Sequence, residues 1–422
     1  MSKILTFANG LRLWVKPMKS TRSISIGVFV HAGSMNENEK NNGIAHFIEH
    51  MVFKGTKNRT AFQIVEEMER FGIQINAFTT KALTAYYTVS VDEYAEKCMD
   101  MLSDLYYNAT FIEENMQREK GVVLEEISMS EDDSEDLCME LLCKAHFGND
   151  PIAIPILGTA ETVKSFTPAT IKEFMDKYYR SDNTFIAIVG NITPEKAQVL
   201  VEKYFEINGN YNLPSIITKA KAKPQRQFLK KFKDNEQSNV GISLPSFSIG
   251  EKLSSASNLI AGMLGGGMSS RLFQRLREEL GLVYNIYAND LQYVTDGYMN
   301  IFFATNPSTV KKAILAVRET LLKLVEQGFA IEEIEKAKAQ YKSAMILAAE
   351  SSSYLMRAGG KYGILIGKEY SLEKRLNEIR KVTPDDINKA VKYIFDINSA
   401  SVSYVGKEID EDLLKLFVEG DN

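Results

Sequence analysis

The chain has 422 residues, 45% of them apolar and 25% charged, and a net charge of -5. That length exceeds what one hydrophobic core ordinarily organises, so two or more domains are expected. The mild acidity argues against nucleic acid as the main partner, and no apolar run approaches the ~20 residues a membrane-crossing helix needs, so neither nucleic acid nor membrane is expected as a partner.

The three cysteines, Cys98, Cys138 and Cys143, form no C-x-x-C pair. An odd count suits a reducing compartment, and they read as small core residues rather than as disulfide partners or metal ligands. With no signal-peptide pattern at the N-terminus, a cytoplasmic protein is expected.

Residues 4 to 30 read as strands, because Ile24, Ile26, Val28 and Val30 alternate and so bury one face. His31-Ala32-Gly33 ends that run, with His31 read as a polar strand-end residue. Asn36 to Asn42 is a polar loop. The next segment, His46-Phe47-Ile48-Glu49-His50, is the most informative in the chain. A helix places the two imidazoles on one face, one turn apart, with the Glu49 carboxylate at the same edge. Phe47, Ile48 and Met51 fill the opposite, core-facing side. The pattern is H-x-x-E-H, the inverse of H-E-x-x-H, and both belong to zinc peptidases. With 4 histidines and 55 acidic residues in the chain, a shuffled sequence would contain about 0.005 such windows. The bland alternative is an amphipathic helix with two satisfied polar histidines. Catalytic zinc usually has three protein ligands, so a third must come from elsewhere.

Downstream, Thr60-Ala61-Phe62-Gln63 reads as a capping box and Gly72 as a C-cap, with Ile64, Val65, Met68 and Phe71 buried between them. Strands are expected over 73–79 and 83–91, then a helix capped by Asp92 and running to about Tyr107. A long helix opening at Thr110 carries Glu119, Glu125 and Glu126. An acidic stretch from Glu131 to Asp136 precedes a helix ending at Phe147, and its charges read as a solvated face. Thr167-Pro168 caps a further helix, Phe185 to Gly190 is a strand, and a helix from Pro194 reaches Phe205. Residues 208–225 are polar, lack periodicity and read as an interdomain linker between domains at 1–207 and 226–422. Strands follow at 226–232 and 239–244, a helix over 251–264, a glycine run at Gly265–Gly267, and a helix from Arg271 to Leu280 closed by Gly281. Strands at 284–288 and 297–304 lead into long helices.

The second half repeats the first. Thr167-Pro168 up to Gly190 and Thr383-Pro384 up to Gly406 each cover 24 positions, offset by 216. Both read as capped helix, strand and glycine. Helices gather between grouped strands, so the fold class is α+β with two homologous domains, each a mostly antiparallel sheet with packed helices. No G-x-G-x-x-G follows a strand, and the Gly265–Gly267 run lacks the Gly-Lys-Ser/Thr of a phosphate loop.

Taken together, these residues resemble the M16 (pitrilysin-like, inverzincin) metallopeptidases, in the short branch that includes the mitochondrial processing peptidase beta subunit and its bacterial relatives. The string Glu119-Lys120-Gly121-Val122-Val123-Leu124-Glu125-Glu126 is similar to the family's ligand helix, and Glu126 lies 76 residues past His50. Arg277 and Tyr284, seven apart, fit the family's Arg/Tyr pair in the C-terminal domain. The resemblance covers essentially the whole length. It implies one zinc ion per chain held by His46, His50 and Glu126, with Glu125 as the competitor for the third place and Glu119 behind the ligands. It implies that Glu49 is the general base of a zinc endopeptidase acting on short or unfolded peptides. Arg277 and Tyr284 would meet the substrate, and Asn76 and Ala77 would sit on an exposed edge strand that pairs with it. A homodimer is expected, with Arg277 and Tyr284 of one subunit completing the zinc site of the other.

Overall fold

The computed structural model describes residues 4–209 and 222–421; positions 210–221 of the expected linker lie outside them. The alternation read in the sequence builds two sheets. The first contains β1 (Leu5–Thr6), β2 (Arg12–Pro17), β3 (Ser23–Val30), β4 (Gln74–Thr79), β5 (Thr84–Val91) and β6 (Thr184–Gly190), in the order β1-β2-β6-β3-β5-β4. Only β2 and β6 run parallel; the other pairs are antiparallel.

The two faces of β3 go to different cores. Ile24, Ile26, Val28 and Val30 pack with Phe47, Ile48 and Met51 of the helix Ile44–Met51 and with Met99 and Leu102 of the helix Ala95–Asn108. On the reverse face Phe29, with Trp14 and Phe185 of β2 and β6, meets the helix Ser352–Ile366. That helix approaches closely because Gly359, Gly360 and Gly363 have no side chains. A Cβ at these positions would lie 2.1, 2.0 and 2.1 Å from the rings of Trp14, Phe29 and Phe185.

The second sheet contains β7 (Phe228–Phe232), β8 (Ser238–Pro245), β9 (Val283–Gln292), β10 (Gly297–Thr305) and β11 (Ser401–Gly406), in the order β7-β11-β8-β10-β9. Here β7 and β11 run parallel. The order reproduces β2-β6-β3-β5-β4 strand for strand, as the internal repeat predicts. Thr167 and Thr383 cap their helices with the same box, each followed by proline, and each chain returns as a buried strand, β6 or β11, ending in glycine.

Each compact unit takes one helix from the other half of the sequence. The first runs to Ser128, resumes at Ile154 and adds Ile346–Leu372; the second comprises Met129–Ala153, the following half to Met345, and the chain from Glu373. In the second unit the helix Ser134–Phe147 packs on β8 and β11. Cys138 lies against Phe302 and Val405, and His146 Nδ1 is 3.0 Å from Ser243 Oγ. All three cysteines are buried, and among the described residues none forms a disulfide.

Three local expectations are corrected. Val65, expected in the core, is 49% exposed, and only Ile64 and Met68 of its helix are buried. Asp92 caps no helix: the chain turns through a short 3-10 segment, Asp92–Tyr94, before Ala95. Its carboxylate is instead held by Arg22 at 3.0 Å and by the Asn191 amide. The helix expected from Arg271 to Leu280 is wound over Phe273–Glu279 as a π-helix, an uncommon form found often at functional sites. Among the described residues no helix is long and apolar enough to cross a membrane.

Candidate metal centre

The helix Ile44–Met51 turns its apolar residues inward and its polar ones to a single side. Ile44, Ala45, Phe47, Ile48 and Met51 are buried. His46, Glu49 and His50 share the other face because they are spaced i, i+3 and i+4. The imidazole rings stand edge to face with centroids 4.6 Å apart. The helix starts at Gly43, whose φ of 88° suits glycine, and no side chain from the helix itself caps it. The cap comes from Glu37. Its carboxylate accepts hydrogen bonds from the amides of Gly43 (2.7 Å) and Ala45 (2.8 Å) and from the Asn42 side chain (2.9 Å). Burial pushes the Glu37 carboxyl up to about 7, although these donors, together with Lys81, pull the other way.

Glu126 reaches the histidines from the long helix Glu113–Asp132. Its Oε2 lies 3.8 Å from His46 Nε2 and 3.4 Å from His50 Nε2. One ligand atom from each of His46, His50 and Glu126 falls within 4.8 Å of the other two, and this is the one such group among the described residues. Glu125 sits beside it in sequence but faces solvent, since successive helical residues point about 100° apart. Two turns earlier on the same helix face as Glu126, Glu119 is almost fully buried. Its Oε1 is 2.8 Å from His50 Nδ1 and its Oε2 is 2.7 Å from Lys54 Nζ.

This donor set fits a divalent cation. Burial, with the neighbouring His50, lowers the His46 imidazole to about 4, so the ring is neutral and carries a lone pair. At His50 burial also works to lower the pKa, but the Glu119 hydrogen bond and the charges of Glu126, Glu119 and Glu49 outweigh it and raise the value. A cation at Nε2 would take the place of the proton those carboxylates favour. Glu119 holding Nδ1–H leaves the Nε2 lone pair directed at Glu126. His46 has no such support, because its buried Nδ1 finds no hydrogen-bond partner among the described residues. Two imidazoles and one carboxylate form a set suited to zinc, with a coordination position left over.

Glu49 stands beside this group without belonging to it. Its Oε2 accepts a 2.6 Å hydrogen bond from Thr79 Oγ1 on β4. Burial raises the Glu49 carboxyl above its ordinary value, against the opposing Thr79 bond. Among the described residues β4 is the end strand of its sheet, paired only with β5. Ala77 donates its amide to Asn76 Oδ1 at 2.8 Å, so its backbone N–H is turned away from the sheet's own ladder. Arg277 and Tyr284 come together in the second unit: the guanidinium lies 5.3 Å from the Tyr284 ring centroid and 4.8 Å from that of Phe273, and Tyr284 is 73% exposed. His31 is outside the metal group; burial and the charge of Arg12 lower it to about 4.

The sequence reading missed Glu37, Lys54 and Thr79. Glu37 lies in a segment that reads only as polar loop, and a cap reaching back across six residues leaves no periodic trace. Lys54 and Thr79 act through contacts across the fold, which spacing along the chain does not reveal.

Comparison with known proteins agrees with this geometry. The family described as Insulinase (Peptidase family M16) matches residues 14–160, and the one described as Peptidase M16 inactive domain matches residues 165–341. The chain is 36% identical to the uncharacterized zinc protease YmxG of Bacillus subtilis (strain 168), over 94% of this chain and 96% of that protein. It is 31% identical to an uncharacterized zinc protease of Streptomyces coelicolor, over 97% and 91%. Among solved structures, a protease from Helicobacter pylori shares the fold with a TM-score of 0.88 at 23% identity, over 96% of this chain and 99% of that one. The peptidase M16 inactive domain from Pseudomonas fluorescens does so with a TM-score of 0.88 at 18% identity, over 98% and 99%. His46, His50 and Glu126 fall within the first matched segment and Arg277 and Tyr284 within the second, and the chain belongs to peptidase family M16.

Proposed function

We propose that this chain is a zinc-dependent endopeptidase that hydrolyses peptide bonds in short or unfolded polypeptides, holding one zinc ion through His46, His50 and Glu126. One observation carries the reading: three ligand atoms converge within 4.8 Å while Glu49, on the same helix face as the two histidines, stays outside the set. A closed structural site would use four protein ligands and need no base. Zinc, when bound, supplies a Lewis acid that polarises the scissile carbonyl and acidifies water.

The chain's own groups do the remaining work. Glu49, its carboxyl raised by burial, takes the proton of the attacking water and passes it to the leaving amine. Thr79 fixes the orientation of that carboxylate. Glu119 keeps His50 in the tautomer that presents Nε2. An extended substrate pairs with the outer edge of β4 through main-chain hydrogen bonds, using the Ala77 amide once Asn76 releases it. Such pairing needs a free backbone, which selects unfolded chains over folded ones. Tyr284 donates to the developing oxyanion and Arg277 to a substrate carbonyl or carboxylate, each from the second subunit of a homodimer.

The test is cleavage of an unstructured peptide by the full chain, with zinc content measured in parallel. Removing zinc with a chelator should abolish cleavage and returning it should restore it. Glu49→Gln should retain zinc and lose at least ~100-fold in kcat, the lower range for a lost general base. A Glu49→Gln protein that cleaves at the unmodified rate would overturn the assignment.

A further inference from the structure

The face of the first sheet turned away from the metal helix carries two positive charges that nothing in the proposed chemistry uses. Arg357 and Lys361 are four residues apart on the helix Ser352–Ile366, and both are exposed. Lys361 Nζ lies 5.2 Å from the ring centroid of Phe78 on β4. The Arg357 guanidinium lies 5.9 Å from that of Tyr87 on β5. The two rings stand edge to face, 6.1 Å apart.

Among the described residues neither cation has a carboxylate in ion-pair range, whereas Arg59 in the same unit pairs with Glu67, Asp100 and Asp104. The charged neighbour acting on Lys361 is Arg357 itself, four residues earlier on the helix. Like charges at this helical spacing repel. An arriving anion would relieve that repulsion. Phe78 and Tyr87 offer a floor for the methylene part of a side chain.

The pleat of β4 says which groups would meet these cations. Ile75 and Ala77 pack into the core that contains the metal helix, and Thr79 meets Glu49. Phe78 packs into the core formed with the helix Ser352–Ile366. A strand paired onto the edge continues the alternation, so every second side chain points to the Lys361 side and the others to the Glu49 side.

We propose that Lys361 and Arg357, with Phe78 and Tyr87 beneath them, form a subsite for a glutamate or aspartate side chain of an extended polypeptide paired along β4. The inference rests on the peptidase reading and names the class of substrate it would favour.

The experiment uses the full-length zinc-loaded protein and a series of unstructured peptides that differ only in one residue, Glu or Gln, moved stepwise along the chain. Glutamate at alternating positions should raise kcat/KM about fivefold, the scale of a partly exposed charge pair. The gain should appear in KM and shrink at 0.5 M salt on the order of screened surface charges. The double variant Arg357→Met/Lys361→Met should cleave the Gln peptide as the unmodified protein does and treat Glu and Gln alike. Lys361→Glu should instead favour lysine at the same position. Equal cleavage of Glu and Gln peptides at every position would overturn the subsite while leaving the peptidase standing. A preference that survives in the double variant would overturn the assignment to these residues. Absence of cleavage of any peptide would overturn the peptidase reading and the subsite with it.

Discussion

Replacing Glu119 by glutamine should weaken zinc binding without removing any ligand. The buried carboxylate serves two partners at once, His50 Nδ1 at 2.8 Å and Lys54 Nζ at 2.7 Å. A carboxylate has two acceptor oxygens, whereas an amide has one oxygen and one NH2. If the amide oxygen faces His50, the NH2 points at the Lys54 ammonium. If it faces Lys54, the NH2 donates to Nδ1 and moves the ring proton to Nε2, where it blocks coordination. Either arrangement loses one charge-assisted contact of a side chain that is only 5% exposed. Supporting contacts of this kind change metal affinity by about 10–100-fold, or roughly 1.4–2.8 kcal/mol. Competition against a chromogenic chelator measures the effect directly. Adding Lys54→Met should recover part of the affinity, because the amide oxygen is then free to stay on His50. A Glu119→Gln protein that binds zinc within twofold of the unmodified chain would refute the tautomer argument, whatever its activity.

The same glycine-to-alanine change should have opposite signs at two helical positions. In Gly360→Ala the new methyl would lie 2.0 Å from the buried Phe29 ring, and overpacking of this kind costs about 1–3 kcal/mol. Gly121→Ala, on the helix of Glu126, meets nothing within 4 Å and should gain up to about 1 kcal/mol of helix propensity; thermal unfolding midpoints that move in the same direction would contradict the packing account. Glu37 gives a pH dependence. Its folded pKa of about 7 lies above the ordinary 4.5, so its contribution to stability is fully present below about 4.5 and is lost as the pH rises through 7, by about 3 kcal/mol. Glu37→Gln cannot titrate, and its urea midpoint should lack that slope; an unchanged slope would place the titrating group elsewhere. Mixing Glu49→Gln and Tyr284→Phe proteins tests the shared site: subunit exchange should restore activity by forming one intact site, and no recovery after demonstrated exchange would mean that each subunit supplies its own tyrosine.

Much of the fold was legible because local rules act at fixed spacing. Thr60, Thr167 and Thr383 announce helix starts through an acceptor placed three residues before a donor. β3 shows its two faces by alternation, and the twofold architecture follows from a repeat of 24 positions offset by 216. Asp92 misled because the same carboxylate that can cap a helix is claimed here by Arg22 from a neighbouring turn.

The sequence alone placed His46, Glu49 and His50 on one side of a helix, since helical geometry fixes where residues three and four apart must point. Tertiary structure decided the rest of the centre. It set Glu126 rather than Glu125 against the imidazoles, brought Glu119 and Lys54 behind His50, and supplied the helix cap from Glu37. It also laid the glycine face of Ser352–Ile366 on the aromatic rings of a sheet built from the opposite half of the chain. The physical reason is range: hydrogen-bond geometry and side-chain periodicity act within a few residues, whereas burial and shape complementarity choose partners that lie dozens to hundreds of positions away.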